Sequence, residues 1–127
     1  MRHPAPLAAL LLLAACQTPG ARPFSFHAAE FLPGDRGEAA ARAFLDSDVP
    51  AGAPVTLAVE RLRAAGMSCR SASGARRTLC DYYWPVHMQG GLIGEDHYEV
   101  QLDGDGSGRV AGARLERYFV GSGMPSP

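Results

Sequence analysis

The sequence predicts an α+β domain in which two short helices pack on one face of an antiparallel meander sheet of three to four strands. Three observations support this fold class. Apolar residues recur at helical spacing over 55–65, they alternate with polar residues over 80–88, and a second alternation over 97–102 runs into a turn rich in Gly and Asp. Of the 127 residues, the predicted domain takes 34–121, and 122–127 are expected to form a disordered tail.

The N-terminal residues have the pattern of a secretory signal peptide over 1–15. Arg2 supplies a positive charge, and the apolar run that follows is too short to cross a bilayer as a helix. The run ends in Leu13-Ala14-Ala15-Cys16, which resembles the lipobox of bacterial lipoprotein signal peptides. The resemblance implies that Cys16 becomes the first mature residue and carries the lipid. An ordinary signal peptide with an incidental Cys is the alternative.

The residues after the lipobox bear on the location of the protein. Gln17 rather than Asp follows Cys16, and by resemblance to the enterobacterial sorting rule this implies a lipid anchor at the periplasmic face of the outer membrane. Three acyl chains would hold the protein stably, since each buried methylene contributes about 0.8 kcal/mol. The segment 16–33 is rich in Pro, Gly and Ala and is predicted to be a tether.

Two helices are predicted before the first strand. Asp35 is followed three residues later by Glu38, a pattern close to a capping box, and a helix is expected over 36–46. Pro54 suits the first position of a second helix, because its missing N–H needs no partner there. Gly66 is expected to end that helix in the left-handed conformation.

Two of the three cysteines lie inside the predicted domain. In an oxidising periplasm Cys69 and Cys80 are expected to pair. If Gly74-Ala75 forms a two-residue turn, the strand register places Cys69 directly opposite Cys80. Closing this short loop would stabilise the fold by about 2–3 kcal/mol. A zinc site is the alternative, although no second thiol pair or His-x-x-x-His motif completes one.

The segment 103–108, DGDGSG, resembles the start of an EF-hand calcium loop. Position twelve of such a loop requires a bidentate Glu, but Arg114 stands there, and the flanking residues alternate as strands do. A hairpin is therefore predicted. Its expected register pairs Leu102 with Ala111 and places Glu99 opposite Arg114, which joins apolar and oppositely charged residues. The same register pairs Val100 with Ala113, Tyr98 with Leu115, and His97 with Glu116.

A second possible metal site involves two histidines. His87 and His97 flank a loop predicted over 89–96 and could be neighbours close to Glu95 and Glu99. Two imidazoles and a carboxylate are able to bind a transition metal. Solvated polar residues on an open sheet face are the favoured interpretation, so neither a metal nor a cofactor is predicted.

Composition and motifs argue against several function classes. Twelve basic and thirteen acidic residues give no reason to expect a nucleic-acid partner. No serine or thiol has a convincing base, and no Gly-rich phosphate loop follows a strand. The chain is therefore predicted not to be an enzyme.

Two groups of residues are candidates for binding a partner. Leu92 and Ile93 are apolar residues displayed between glycines, which suits insertion into a partner if they are exposed. The second group is a run of arginines without an intervening acid, which could meet lipid phosphates or an acidic protein. Its members are Arg61, Arg63, Arg70, Arg76 and Arg77.

A helix is opened by Val49-Pro50-Ala51-Gly52-Ala53-Pro54, one later strand contains Trp84, and the strand after it ends in Asp-Gly. In these features residues 49–119 show a resemblance to the BamE family of outer-membrane lipoproteins. It implies two helices on a three-stranded sheet and support of outer-membrane barrel assembly. The Cys69/Cys80 pair and the missing Leu-Gly-x-Pro after the second helix depart from the family pattern.

Two hypotheses for function follow. The first is a lipid-anchored, non-catalytic structural or assembly module that binds a protein partner in the envelope. The second is a periplasmic inhibitor or small-ligand-binding lipoprotein.

Overall fold

The structure, a computed structural model, describes residues 22–71 and 76–121. Within them the chain forms three helices and four strands: α1 (Phe26–Glu30), α2 (Arg36–Asp48), α3 (Val55–Ala64), β1 (Ser68–Ser71), β2 (Arg77–Met88), β3 (Gly91–Gly104) and β4 (Val110–Gly121). The strands make one antiparallel sheet in the order β1-β2-β3-β4. The predicted α+β class with a meander sheet is confirmed.

Some of the predicted features fall outside the described residues. They are the signal peptide over 1–15, the lipidation of Cys16, the first part of the tether, the Gly74-Ala75 turn, and the tail over 122–127.

The two predicted helices are present, and α2 extends two residues beyond its predicted end. Gly66 has a φ of 103°, which confirms the left-handed end of α3. The capping box is wrong in one respect. Asp35 is the N-cap residue of α2, but its side chain makes no capping hydrogen bond.

The predicted tether over 16–33 is too long, because the packed domain already begins at Phe24. Phe26 is fully buried, and the Phe24 ring stacks on Phe44 with ring centroids 4.6 Å apart. The Ser25 Oγ caps α1 by accepting a hydrogen bond from the Ala28 N–H at 3.0 Å. Aromatic packing against α2 therefore holds a five-residue helix that is too short to be stable alone.

The hydrophobic core lies between the helices and one face of the sheet. The strands contribute alternate residues to it, and the helices contribute their apolar stripes. The largest fully buried side chains are Tyr98, Phe26, Leu62, Leu102, Val100, Val110 and Cys80. The opposite face of the sheet, called the outer face below, carries Tyr83, Glu99 and Glu116.

The register between β1 and β2 is the one predicted. Cys69 pairs directly with Cys80, and their sulfur atoms form a disulfide of 2.03 Å. The bond ties the short edge strand β1 to β2 under the helices.

The predicted loop over 89–96 is wrong. Met88 pairs with Gly91, so β2 and β3 are joined by a tight turn at Gln89-Gly90, and a register irregularity follows Val86. His87 consequently lies opposite Leu92, whereas His97 lies opposite Tyr83. The histidines are not cross-strand neighbours, and the two-histidine metal site is excluded by this register.

The hairpin predicted between β3 and β4 is confirmed, but its register is wrong by two residues. Leu102 pairs with Ala113, and Glu99 pairs with Glu116 instead of Arg114. Because a shift of two keeps each side chain on its face, the apolar face was predicted correctly while the charge pairs were not. In the same way Val100 pairs with Leu115, Tyr98 with Arg117, and His97 with Tyr118.

The physical reason for this shift is a larger turn. Asp105 Oδ1 accepts hydrogen bonds from the Ser107 N–H at 2.7 Å and the Arg109 N–H at 3.3 Å. These bonds, led by those from Ser107, lower the pKa of the Asp105 carboxyl. The turn also bonds to the start of α3, where the Val55 N–H donates to the Gly108 carbonyl at 2.9 Å. The loop that resembled a calcium site thus supports the helix layer.

Candidate protein-binding surface

Five large apolar side chains are exposed at one end of the sheet, where β2 and β4 end and β3 begins. Their exposed fractions range from 39% to 64%. We call this group the apolar end, and its members are Met88, Leu92, Ile93, Phe119 and Val120. The predicted candidates Leu92 and Ile93 belong to it, although they lie in a strand and not in a flexible loop.

Strand pairing places the β4 members of the apolar end beside the start of β3, where Phe119 and Val120, as successive strand residues, point to opposite faces of the sheet. Phe119 lies opposite Asp96 and Val120 opposite Glu95, close to Gly94 in β3. A methyl group at Gly94 would overlap the Phe119 ring and the Val120 carbonyl oxygen. Glycine is therefore required here because the Phe119 ring packs closely over the β3 backbone.

The outer face continues this surface with a row of stacked rings across three strands. The His97 ring lies between Tyr83, at a centroid distance of 5.7 Å, and Tyr118, at 5.0 Å and nearly parallel. Glu95 contacts the His97 Nε2 at 3.0 Å. Both tyrosines are well exposed, so the row offers flat aromatic area beside the apolar end.

Next to the aromatic row lies a row of three carboxylates. Glu99 is directly opposite Asp81 on one side and Glu116 on the other. The Tyr118 hydroxyl donates to Glu99 Oε2 at 3.3 Å. Like charges in directly opposed positions destabilise a sheet, so this row on the outer face lowers the stability of the fold.

On the opposite face, two carboxylates share one guanidinium beneath α1. The Arg117 guanidinium contacts Asp96 Oδ2 at 2.7 Å but lies 3.7 Å from Glu30 Oε2, without a hydrogen bond. The Glu30 side chain is only 8% exposed, and its Oε2 has no hydrogen-bond partner among the described residues. One cation therefore serves two partly buried acids.

The protonation of the two acids differs accordingly. Burial, together with the neighbouring Asp96 carboxylate, raises the pKa of Glu30 to about 7. Burial also acts to raise the pKa of Asp96, but hydrogen bonds from Arg117 and Glu30 outweigh it and hold that pKa below its usual value. A protonated Glu30 can donate a hydrogen bond to the ionised Asp96.

Tyr98 links this charge cluster to the core. The Arg117 guanidinium lies 4.9 Å from the centre of the Tyr98 ring, within cation–π range. The side chain is fully buried, and burial raises the pKa of its hydroxyl. Within the described part of the chain that hydroxyl has no hydrogen-bond partner.

Four of the five arginines predicted to form a binding patch contact other parts of the domain. Arg61 donates to the Asp48 carbonyl, and Arg63 donates to the Cys69 carbonyl at 3.4 Å. Arg77 forms an ion pair with Asp103 at 3.2 Å, and Arg76 lies beside Gly106 in the β3–β4 turn. These contacts hold the cations at separate places on α3 and at the start of β2.

Sequence reasoning missed Glu30, Asp96 and Arg117, but a signal for two of them was present. Asp96 falls in the same alternate phase as the buried Tyr98, and Arg117 falls in the phase of Leu115. A charged residue in the apolar phase of a strand indicates a buried ion pair or a site.

The described residues contain no cluster of His, Cys, Asp or Glu able to hold a metal ion. None of the helices in that part of the chain is long and apolar enough to span a bilayer. Comparisons of the sequence with protein-family models and with curated proteins, and of the fold with solved structures, gave no match.

Proposed function

We propose that this chain is a lipid-anchored bacterial envelope lipoprotein whose domain is a non-catalytic module that binds a protein partner through the apolar end of the sheet. One observation carries the proposal. Leu92, Ile93 and Phe119, with their neighbours, remain exposed in a domain that buries Phe26 and Tyr98 completely. Clustered, exposed large apolar residues are typical of surfaces that a partner covers.

The edge position of β4 supports the same surface. β4 is the last strand of the sheet, and Tyr118, Phe119 and Val120 are exposed along its end. At its start, the strand is protected by a bridge between Arg109 and Pro54. Among the described residues this edge pairs with no further strand, and an unpaired edge beside apolar side chains suits a partner that adds main-chain hydrogen bonds to side-chain contacts.

The lipid anchor determines where the partner would be met. Eight peptide units join Cys16 to Phe24, so a fully extended tether spans at most about 30 Å. The domain would then stay close to the membrane surface. The partner is accordingly a membrane protein or a protein held near the membrane, and the resemblance to the BamE family favours a role in outer-membrane barrel assembly.

The first experiment tests the anchor. Cys16→Ser is expected to release the protein from membranes, and the mass of the wild-type protein is expected to include the lipid. Unchanged fractionation of the variant, together with an unmodified wild-type mass, would refute the anchor.

The second experiment tests the surface. The double variant Leu92→Asp/Ile93→Asp is expected to lose a protein that co-purifies with the wild type from detergent-solubilised membranes. Leu57→Asp is the matched control, because Leu57 is an exposed apolar residue on α3. Equal recovery of the same protein by both variants would contradict a role for the apolar end.

A second candidate function is inhibition of an envelope enzyme by insertion. It is favoured by the tight Gln89-Gly90 turn, which presents Met88 and Leu92 at the tip of a hairpin. Inhibition of the co-purified partner's activity by the wild type, and not by the double variant, would distinguish this function from assembly.

A further inference from the structure

We infer that the cavity between the end of α1 and the end of β2 binds an organic cation, an ammonium group on a short apolar stem, with Glu30 as its counter-ion. The cavity has a volume of about 390 Å³ and is lined by Glu30, Phe31, Trp84, Pro85, Val86 and His87. The cavity ends next to Met88 of the apolar end, but none of its lining residues belongs to that group, so the inference does not rest on the proposed function.

The walls of the cavity are largely apolar and aromatic, with the Glu30 carboxyl and the His87 imidazole as their polar groups. The Phe31 ring meets the Trp84 ring edge to face at 5.4 Å, and the His27 ring lies 4.9 Å from Trp84. Pro85 and Val86 complete the apolar lining. Aromatic faces attract cations through their quadrupole, and apolar walls accept a hydrocarbon stem.

The acidic charge beside the cavity is only partly compensated. Glu30 is more than nine-tenths buried, and Arg117, the cation beneath it, gives its close contact to Asp96. Glu30 thus lines the cavity with a carboxyl group whose Oε2 is itself enclosed, 3.7 Å from Arg117 and without a hydrogen bond within the described ranges. An ammonium group in the cavity would add a positive charge beside a cluster in which two carboxylates share one guanidinium. A neutral or anionic ligand of the same shape would not.

The experiment uses the fluorescence of Trp84, the single tryptophan of the chain, in the full-length protein held in a non-ionic detergent. At pH 8, where Glu30 is ionised, n-butylammonium is expected to change the emission and to saturate. n-Butanol and n-butyrate, which keep the stem without the positive charge, are expected to have no saturable effect.

Two variants test the roles of the residues. Glu30→Gln keeps the shape and removes the charge, and it is expected to weaken binding by about tenfold or more. Phe31→Ala removes an exposed wall residue and is expected to weaken binding about two- to fivefold. Glu38→Gln, which alters an exposed carboxylate of α2, is the matched control and should bind as the wild type does.

The inference is overturned by any of three results. They are the absence of a saturable response to n-butylammonium, an equal response to n-butanol, and equal affinity in Glu30→Gln and Glu38→Gln. Since Phe31 is exposed, the Phe31→Ala variant remains informative even if Glu30→Gln fails to fold. Unchanged affinity in Phe31→Ala would then refute the aromatic wall.

Discussion

At the scale of single residues, Glu30 is an acid that the fold buries with incomplete charge compensation. It sits on α1 next to Asp96, and Arg117 is the cation that both acids share. Removing a carboxylate from water raises its pKa unless a positive charge compensates. Glu30 lacks full compensation, so the folded protein favours its neutral form.

The pH dependence of stability follows from this shift. The pKa of Glu30 is raised from its ordinary value of 4.5 to about 7 in the folded protein. Its contribution to stability is therefore fully present below pH 4.5 and is lost as the pH rises through 7. Asp96, whose pKa is lowered, contributes in the opposite sense, and its stabilisation is lost only as the solution becomes acidic.

The test is urea unfolding of Glu30→Gln between pH 5 and pH 8. The free energy of unfolding of the wild type should fall over this range, partly because Glu30 ionises. In the variant it should fall by less, because Gln does not ionise. Glu38→Gln, altered in an exposed ion pair with Arg42, should follow the wild type. A decline in Glu30→Gln equal to that of the wild type would assign the pH dependence to other groups.

The charge cluster could be predicted only in part from the sequence. Asp96 and Arg117 interrupt the apolar phase of their strands, and that signal is local. Glu30 carries no such signal, since it belongs to a five-residue helix without a sustained period. Its burial depends on Phe26 docking against distant residues, which a short local pattern does not specify.

At the scale of elements, α1 and α2 meet at Gly37. A methyl group there would overlap the Ala29 carbonyl oxygen and approach the Tyr98 hydroxyl. Glycine is usually unfavourable inside a helix, so its presence in α2 is explained by the close approach of α1.

Gly37→Ala is accordingly expected to destabilise the protein by about 1–3 kcal/mol through overpacking, despite the better helix propensity of Ala. The measurement is the urea midpoint, with Gly112→Ala as the control, since no atom lies within 4 Å of a methyl group there. A more stable Gly37→Ala variant would show that α1 moves aside without cost.

The acidic row makes a prediction for the sheet. Glu116→Lys places a cation opposite Glu99 and removes one of three aligned like charges. It is expected to stabilise the fold by about 0.2–1 kcal/mol at low salt, and less at high salt. Glu60→Lys, an exposed acid on α3, is the control. A loss of stability in Glu116→Lys at both salt concentrations would contradict the observed register.

The hairpins show what sequence patterns predict and what they leave open. Alternation correctly indicated which face of β3 and β4 is buried, because the side-chain period of a strand does not depend on its turn. The register required the turn length, which is determined by Asp105 bonding to Ser107 and Arg109. Between β2 and β3, the glycines suggested a loop. Gly94 instead lies within β3, where the Phe119 ring packs closely against its backbone.

At the scale of the whole molecule, the helices cover one face of the sheet, and no described residues cover the outer face. This arrangement was predictable because the predicted strands are apolar on one face only, and one layer of helices is enough to bury that face. The sequence predicted that layer as two helices, and α1 adds a third. What could not be predicted is the apolar end, because the exposure of Phe119 and Val120 depends on how far the helix layer extends.

The disulfide stabilises the pairing of the edge strand β1 with the rest of the sheet. β1 has four residues and pairs only with β2 among the described strands, and Cys80 within that pair is fully buried. Closing a loop between residues 11 apart restricts the unfolded chain, so Cys69→Ala is expected to lower the free energy of unfolding by about 2–4 kcal/mol. The double variant Cys69→Ala/Cys80→Ala should lose a similar amount, and hydrogen exchange should quicken first in β1.

Thiol titration gives an independent check on the same bond. The chain has three cysteines, so a Cys16→Ser background leaves only Cys69 and Cys80. The native, unreduced protein should then show no free thiol, and two should appear after denaturation and reduction. Two reactive thiols before reduction would refute the bond and, with it, the cross-link that ties β1 to the sheet.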